Sequence, residues 1–101
     1  LVLDMDETLV HLTNGEANLG LDLTVTIFQD ASKNWEIVVF TAALQDYADW
    51  ILNELDQLNL IKRRLYRNSC TLRRGCYLKD LNQLNRDMSK IVIVDNIPEN
   101  F

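Results

Sequence analysis

The sequence predicts an α/β domain in which helices cover a doubly wound parallel sheet, with a small β insert. Three apolar runs each end on a polar residue: Leu1–Leu3 before Asp4, Ile37–Phe40 before Thr41, and Ile91–Val94 before Asp95. Continuous apolar runs without alternation are typical of strands buried on both faces. A stretch with helical periodicity separates the second run from the third.

That helix is predicted within "AALQDYADWILNELDQLNL", residues 42–60. Apolar residues recur there at the 3.6-residue spacing of one buried face: Leu44, Tyr47, Ala48, Ile51, Leu55 and Leu58. Trp50 and Leu52 fall beside this stripe, and we expect Leu52 at its border. We also assign Trp50, Trp35 and Phe40 to the core.

Shorter elements are predicted on both sides of this helix. "LDLTVTIF", Leu21–Phe28, alternates well enough for a strand, and residues 63–81 form short strands or an extended loop with a turn at Gly75. Only "QDASKN" separates Phe28 from the strand that begins near Trp35. Parallel neighbours need a crossover of a dozen or more residues, so either these two strands are antiparallel or a segment is missing.

The polar residues that follow the apolar runs define a candidate site. In a parallel sheet the carboxyl ends of the strands share one edge, where ligands bind, so we expect Asp4, Thr41 and Asp95 to lie together. Asp4 and Asp6 are close enough to repel each other, which requires a cation, a shared proton or a turn that faces water. A single aspartate after a strand is also an ordinary cap or turn residue.

These residue types suit phosphoryl chemistry that uses Mg²⁺. Carboxylate and amide oxygens of Asp4, Asp95 and Asn96 are ligands that Mg²⁺ prefers. Asp4 could then attack phosphorus as a nucleophile, and Asp6 could transfer protons to and from the leaving oxygen and water. Lys79 or an arginine would neutralise the phosphate oxygens, and a hydroxyl such as that of Thr41 would orient them.

Composition and charge restrict the alternatives. The 101 residues suffice for one domain, and the apolar runs are too short to cross a bilayer. The net charge is −5, yet most of the ten basic residues fall in one segment free of acids: Lys62, Arg63, Arg64, Arg67, Arg73, Arg74 and Lys79. A local positive field on an acidic chain suits a small anion or a phosphorylated partner better than nucleic acid, although Lys62–Arg64 fits a solvated edge strand.

The cysteines and the histidine give no indication of a catalytic or metal-binding role. Cys70 and Cys76 match no zinc-site or redox-pair spacing, so buried free thiols are expected. His11 is assigned a structural or surface position.

Five motifs resemble one enzyme family. "DMDET" fits the DxDx[TV] signature of the haloacid dehalogenase superfamily of phosphohydrolases. Together, "LVLDMDETLVH", "EIVVFTAALQDYAD", "LYRNSC", "RGCYLKDL" and "VIVDN" resemble the small phosphatases of the RNA polymerase II C-terminal tail, whose domain is NLI-interacting-factor-like. The resemblance runs in order over nearly the whole chain, 1–101, which we therefore treat as a single phosphatase domain.

The resemblance implies a role for each matching residue. Asp4 is the nucleophile, and Asp6 is the general acid and base that also gives its main-chain carbonyl to Mg²⁺. Thr41 and Lys79 hold the phosphate. The metal set is Asp4, Asp6, Asp95 and Asn96, with Asp95 either a ligand or a partner of Lys79.

The resemblance also implies residues that surround the substrate. Thr8 ties the loop after Asp4 in place and borders the substrate. Arg67 takes the position from which the family approaches the substrate phosphate. One of Arg73 and Arg74 contacts substrate, and we assign Arg74.

Family members carry further residues that this sequence lacks. An Arg-Pro pair and most of a helix usually precede the Trp35 strand, so an internal deletion near 27–29 is expected. The family domain also continues with a further strand and helix past the position of Phe101, so the sequence is expected to be a fragment.

The functional expectation is a Mg²⁺-dependent protein serine/threonine phosphatase with an aspartyl-phosphate intermediate, acting on a phosphorylated protein such as the RNA polymerase II tail. A monomer without a membrane segment or direct nucleic-acid contact is expected, in the nucleus or at the nuclear envelope. Two alternatives stay open: a non-catalytic peptide-binding module like the presequence receptors of mitochondrial import, and a small-molecule phosphatase of the same superfamily.

Overall fold

The computed structural model describes residues 1–6, 8, 12–13, 16–17 and 28–97. In this part of the chain the strands are, in order, β1 (Val2–Leu3), β2 (Leu12–Thr13), β3 (Glu16–Ala17), β4 (Ile37–Phe40), β5 (Ile61–Leu65), β6 (Thr71–Arg73), β7 (Cys76–Leu78) and β8 (Ile93–Val94). The chain is α-helical over 28–32, which we label α1, and over α2 (Gln45–Leu55). Short 3₁₀ helices cover Arg67–Ser69, Leu81–Leu84 and Met88–Lys90.

The central sheet is parallel, with strand order β5-β4-β1-β8. In the register of β1, Val2 lies between Val38 of β4 and Ile93 of β8. The chain therefore leaves β1 towards β4 and β5 on one side and returns to β8 on the other. This reversal confirms the doubly wound α/β prediction, and it opens a crevice at the carboxyl end of β1, where such folds bind ligands.

Each face of the sheet buries a different set of side chains. On one face, Met5 and Val39 pack against the apolar side of α2, and Leu3 and Ile37 pack against Phe28 of α1. On the other face the buried cluster consists of Val2, Val38, Phe40, Leu65 and Leu84, the last of which comes from a 3₁₀ helix. The predicted burial of the first two runs is confirmed. In the third run the strand is shorter than the apolar run, and Val92 and Val94 are exposed, so the prediction of burial on both faces is wrong there.

Helix α2 begins and ends inside the predicted segment. Its buried residues are Ala48, Ile51, Leu52 and Leu55, so Leu52 belongs to the packed face and not to its border. The helix stops before Asp56, whose carboxylate accepts hydrogen bonds from the main-chain N–H groups of Leu60 (2.7 Å) and Ile61 (3.0 Å) and turns the chain into β5.

Four large apolar residues that were assigned to the helical stripe or to the core are exposed. One of them is Leu44, directly before α2, which is 61% exposed. Leu58 follows the end of α2 and is exposed, Trp50 faces solvent with 67% of its surface exposed, and Trp35 is 43% exposed. The core assignments of both tryptophans are wrong, whereas Phe40 is fully buried as predicted. Single exposed apolar residues are common on protein surfaces, because polar side chains do not suffice to cover them.

Two antiparallel hairpins supplement the sheet. Strand β2 pairs with β3, and β6 pairs with β7 through the partners Leu72 and Tyr77. The second hairpin turns at Arg74 and Gly75, which both have positive φ (54° and 78°). Glycine adopts this conformation without strain, and the predicted turn is confirmed. Strand β5 lies at the edge of the main sheet with Lys62 and Arg63 exposed, in agreement with a solvated edge, whereas Arg64 is partly buried and pairs with Asp49.

The segment before β4 differs from its prediction. Residues 21–27 of the expected strand lie outside the described residues, but Phe28 is helical and buried against Leu3 and Ile37. The strand prediction is therefore wrong at this end, because Phe28 covers the sheet face from a helix. After this helical segment, the main-chain N–H of Trp35 donates a hydrogen bond to the carbonyl of Ala31 (2.9 Å).

No helix among the described residues is both long enough and apolar enough to cross a membrane.

Candidate active site

A cavity of about 470 Å³ opens at the carboxyl edge of the sheet. Its lining comes from segments that are distant in sequence: Asp4, Asp6, Thr41, Ala42, Ala43, Leu44, Tyr47, Arg67, Lys79, Asn96 and Ile97. Asp4 follows β1 and Thr41 follows β4, because the hydrogen bonds Asp4 N–Val94 O (2.9 Å) and Thr41 N–Leu65 O (2.8 Å) extend the strand ladder to these residues. The sheet thus brings the strand ends together as predicted.

Lys79 is the centre of the site. Its Nζ donates hydrogen bonds to Asp4 Oδ1 (2.9 Å) and Asp95 Oδ2 (2.5 Å), and its side chain is only 3% exposed. The side chains of Asp4 and Asp95 are similarly buried, at 9% and 1% exposed. Buried carboxylates are stable only when charge or hydrogen bonds compensate them, and one ammonium group does so for both. Asp95 was expected to be either a metal ligand or a partner of Lys79, and its contact with Lys79 agrees with the second role.

Two threonines complete the surroundings of Asp4. Thr8 Oγ1 lies 3.5 Å from Asp4 Oδ2, and the main-chain N–H of Thr8 donates to Met5 O (3.3 Å) in the turn after β1. Thr41 is 1% exposed, and its Oγ1 accepts from the N–H of Ala43 (3.0 Å). Since that oxygen is the acceptor, the hydroxyl proton of Thr41 can be donated towards the cavity.

Asp6 lies on the cavity wall and is exposed, in contrast to the buried Asp4. The hydroxyl of Tyr47, on α2, donates to its Oδ1 at 3.5 Å. Burial and the nearby Asp6 carboxylate raise the pKa of Tyr47, so its hydroxyl keeps the proton at neutral pH. Tyr47 was assigned only to the apolar stripe of the helix, and helical periodicity carries no signal that its hydroxyl reaches Asp6.

Arg67 lines the cavity from the 3₁₀ helix after β5. Its main-chain N–H donates to Ala43 O (3.0 Å), and its Nε donates to Ala42 O (2.7 Å). Arg74 lies elsewhere, at the exposed turn of the β6–β7 hairpin and outside the lining of this cavity. The structure therefore brings Arg67, and not Arg74, to the site.

The two cysteines are free thiols with different surroundings. Cys70 is partly buried, and its Sγ lies 3.7 Å from the main-chain oxygen of Thr41. Burial raises the pKa of the Cys70 thiol, although the positive charges of Lys79 and Arg67 act against that shift. Cys76 is exposed at the start of β7, so the expectation of two buried thiols is wrong for this residue.

The donors available to a metal ion are oxygens. Among the described residues no group of three or more His, Cys, Asp or Glu side chains is arranged to hold a metal. Asp4, Asp6 and Asn96 nevertheless line one cavity and offer carboxylate, amide and main-chain oxygens. Mg²⁺ keeps several waters and needs only one or two protein carboxylates, so this donor set fits Mg²⁺ better than a metal that requires a full protein cage.

Comparison with known families gives a match over the whole chain. A family model described as NLI interacting factor-like phosphatase matches residues 1–101. The chain is 38% identical to Phosphatase Herzog of Drosophila melanogaster over 120 aligned positions, and 36% identical to the human CTD small phosphatase-like protein over 120 positions. It is 40% identical to CTD small phosphatase-like protein 2 of Dictyostelium discoideum over 121 positions.

These alignments cover all of the chain but only part of each relative. The covered share is 34% of the Drosophila protein, 44% of the human protein and 21% of the Dictyostelium protein. The chain thus spans less than half the length of these curated relatives. The aligned positions exceed the 101 residues of the chain, so the relatives carry residues that this chain lacks within the matched region.

Proposed function

We propose that this chain, which belongs to the NLI interacting factor-like phosphatase family, hydrolyses phosphoserine or phosphothreonine esters in proteins by way of a phosphorylated aspartate. One observation carries the proposal. A buried ammonium group, Lys79 Nζ, joins Asp4 and Asp95 at the floor of a cavity that Asp6, Thr41 and Arg67 also line. Buried charge at the carboxyl edge of a parallel sheet is typical of a site for an anionic substrate.

Asp4 is the proposed nucleophile. Its Oδ1 is held by Lys79 and its Oδ2 lies beside Thr8, so the carboxylate has one orientation at the cavity floor. In the first step an Asp4 oxygen forms a bond to phosphorus while the bond from phosphorus to the seryl oxygen breaks. In the second step water attacks the same phosphorus, the bond to Asp4 breaks, and inorganic phosphate leaves.

Asp6 is the proposed general acid and base. In the first step its carboxyl proton passes to the leaving seryl oxygen, and in the second step its carboxylate accepts a proton from the attacking water. Its exposed position suits this exchange, because the leaving group departs into solvent and the attacking water enters from solvent. The Tyr47 hydroxyl at 3.5 Å orients one oxygen of this carboxylate.

Positive charge and a hydroxyl receive the phosphate oxygens. Lys79 and Arg67 contribute the charges, and Thr41 contributes a donor whose own oxygen is fixed by the Ala43 N–H. Such preorganised donors stabilise the charge that develops in phosphoryl transfer. Asp4, Asp6 and Asn96 are the proposed holders of Mg²⁺, which supplies further neutralisation of the phosphate charge.

The proposed substrate is an exposed phosphorylated tail, such as that of RNA polymerase II. Related human proteins are named Carboxy-terminal domain RNA polymerase II polypeptide A small phosphatase 1 and 2, which supports this substrate class. The exposure of Asp6 and Asn96 on the cavity wall is compatible with a chain segment that lies across the opening. A nuclear or nuclear-envelope location is proposed on the same family resemblance.

The test is phosphate release from a phosphoserine peptide, with Mg²⁺ and with EDTA. We expect release by the wild-type chain that requires Mg²⁺ and is abolished in Asp4→Asn. Asp30→Asn is the matched control, since it makes the same chemical change at an exposed carboxylate that does not line the cavity. Release that persists in Asp4→Asn would exclude this nucleophile, and a folded wild type that binds the peptide without hydrolysing it would indicate a binding module.

A further inference from the structure

The side chain of Arg67 is held on two sides, and one of its supports comes from the β6–β7 hairpin. Its Nε donates to the main-chain oxygen of Ala42 at 2.7 Å. Its Cζ lies 4.8 Å from the centroid of the Tyr77 ring, which places the guanidinium over the ring face. Tyr77 lies in β7, is partly buried and has no part in the proposed hydrolysis.

These two contacts determine which donors of Arg67 remain for a ligand. Because Nε is engaged by Ala42, the two terminal Nη groups are the donors left for the cavity. Arginine recognises phosphate best by presenting two parallel N–H groups, which requires a defined orientation of the guanidinium plane. A hydrogen bond at Nε still permits rotation about its own axis, and an aromatic face beneath the plane restricts that rotation.

The position of Tyr77 in β7 links this support to the rest of the site. Lys79 directly follows the end of β7 at Leu78. Tyr77 contacts Arg67, and Lys79, two residues later, contacts Asp4. Pairing of Tyr77 with Leu72 of β6 fixes the register of this strand. One short hairpin thus carries the ring that contacts Arg67 and leads directly into Lys79.

We propose that Tyr77 is a positioning residue for Arg67, and that its ring face orients the guanidinium so that both Nη groups reach the substrate phosphate. This rests on the proposed function, in which Arg67 binds phosphate, and it assigns the β6–β7 hairpin a functional task. Tyr77 acts through Arg67 and does not contact the reacting atoms.

The test compares Tyr77→Leu, which removes the aromatic face, with Tyr77→Phe, which keeps it. For the phosphoserine peptide we expect Tyr77→Leu to raise KM about three- to tenfold with a smaller change in kcat. We expect Tyr77→Phe, which keeps the ring, to have the wild-type KM. Leu72→Thr is the control for the hairpin itself, because Leu72 is the cross-strand partner of Tyr77 and is 63% exposed. An unchanged KM in Tyr77→Leu, or an equal increase in Tyr77→Phe, overturns the proposal.

A binding measurement separates this inference from the hydrolysis mechanism. Equilibrium binding of the same phosphopeptide is measured in the Asp4→Asn background, where turnover is not needed. We expect Tyr77→Leu to weaken binding in this background and to have no further effect when Arg67→Ala is also present, since the two residues act as a unit. Equal weakening with and without Arg67 shows that Tyr77 acts by another route and overturns the proposal.

The binding cycle also keeps the two proposals distinguishable. If the wild type hydrolyses nothing but the cycle shows the expected coupling, the proposed catalytic function fails and the role of Tyr77 stands. Thermal unfolding of each variant accompanies the cycle. If Tyr77→Leu does not fold, the ¹⁵N order parameter of the Arg67 Nε–H is measured in the wild type instead. A high order parameter is expected, and a low one overturns the proposal.

Discussion

Two clusters of charged side chains hold this chain together, and they differ in charge balance. At the cavity, Lys79 serves both Asp4 and Asp95, so the carboxylates outnumber the ammonium group. Between α2 and β5, Arg64 donates to Asp49 at 2.9 Å as one cation with one anion. We refer to these groups as the cavity cluster and the helix cluster.

The helix cluster has additional neutral partners. Asp49 also accepts hydrogen bonds from the Tyr66 hydroxyl (2.5 Å) and from Gln45 (3.5 Å), and Arg64 donates to Asn53 (3.0 Å). Its charges are matched, and neutral groups occupy the remaining hydrogen-bonding positions. This arrangement suits a structural contact that joins a helix to an edge strand.

The cavity cluster is more deeply buried and has an excess of carboxylate. An excess of negative charge in a buried place is unfavourable unless a further cation approaches. The cavity beside it is lined by Arg67 and is open to a further cation such as the proposed Mg²⁺. The comparison indicates that charge imbalance together with burial, and not the number of ion pairs, distinguishes the candidate active site.

The largest effect is expected from Lys79→Met. Removing the shared ammonium leaves two buried carboxylates without compensation, and we expect the free energy of unfolding to fall by about 3 kcal/mol. Phosphate release from the phosphopeptide should fall by about 100-fold or more. Urea denaturation and the phosphate assay measure the two effects. Wild-type turnover in this variant would contradict the role assigned to Lys79.

The second prediction concerns the helix cluster. Asp49→Ala removes the acceptor of Tyr66, Arg64 and Gln45, and we expect a loss of about 2 kcal/mol in unfolding free energy. Phosphate release per folded molecule should stay unchanged, because Asp49 does not line the cavity. Glu54→Ala, on the exposed side of the same helix, is the control. A large loss of activity without a loss of stability would show that the two clusters are coupled.

The pH dependence sharpens this second prediction. Burial acts to raise the pKa of Asp49, but the hydrogen bonds from Tyr66, Arg64 and Gln45 outweigh it, so the pKa lies below its ordinary value. A carboxyl whose pKa is lowered by folding adds stability above its unfolded pKa and loses it as pH falls through the folded pKa. The stability difference between wild type and Asp49→Ala should therefore be full at about pH 6 and shrink below about pH 4.

The third prediction is a small change in stability from Asp4→Asn. This substitution removes the excess carboxylate and leaves Lys79 paired with Asp95. We expect the unfolding free energy to change by less than about 1 kcal/mol, although hydrolysis is lost. Urea denaturation of Asp4→Asn and of Lys79→Met, measured side by side, compares the two unfolding free energies. A destabilisation as large as that of Lys79→Met would show that the cavity cluster is a structural contact like the helix cluster.

The smallest effect is expected from Tyr47→Phe. Tyr47 lies beside Asp6 on the cavity wall, and Tyr66 lies beside Asp49 in the helix cluster. Burial is the main cause that raises the pKa of both tyrosines. The hydrogen bond from Tyr47 to Asp6 is long, at 3.5 Å, so its loss should lower kcat by only about two- to fivefold. Steady-state kinetics measures this, with Tyr66→Phe as the control that should leave kcat unchanged. A loss equal to that of an Asp6→Asn variant would place Tyr47 in the proton transfer itself.

Much of the fold followed from periodicity. The apolar runs before Asp4 and Thr41 predicted buried parallel strands, and the spacing in residues 42–60 predicted α2, because burial on one or two faces leaves a repeating pattern in the chain. Periodicity failed at Phe28, which lies in a helix, and at Leu52, which is fully buried although it fell beside the stripe. The core assignment of Trp50, which also fell beside the stripe, was wrong as well. These positions depend on which neighbouring surfaces are available to pack against, and local pattern does not contain that information.

The candidate site, like the fold, could be predicted only in part from the sequence. The placement of Asp4, Thr41 and Asp95 on one edge was predictable, because parallel strands present their carboxyl ends together. The exclusion of Arg74 was not, since Arg67 and Arg74 belong to the same basic segment and only the direction of the hairpin separates them. The deletion near 27–29 stays a prediction.

The sequence by itself determined the buried strands, the edge on which the carboxylates lie and the oxygen-rich chemistry of that edge, since the apolar pattern of a strand and the residue that follows it are local properties. Only the tertiary structure decided that Lys79, 75 residues beyond Asp4, supplies the shared ammonium. It also decided that Tyr47 reaches Asp6 and that Tyr77 lies beneath Arg67. Those contacts join separate segments, and their geometry depends on how loops and a hairpin return to the sheet, which no repeating pattern encodes.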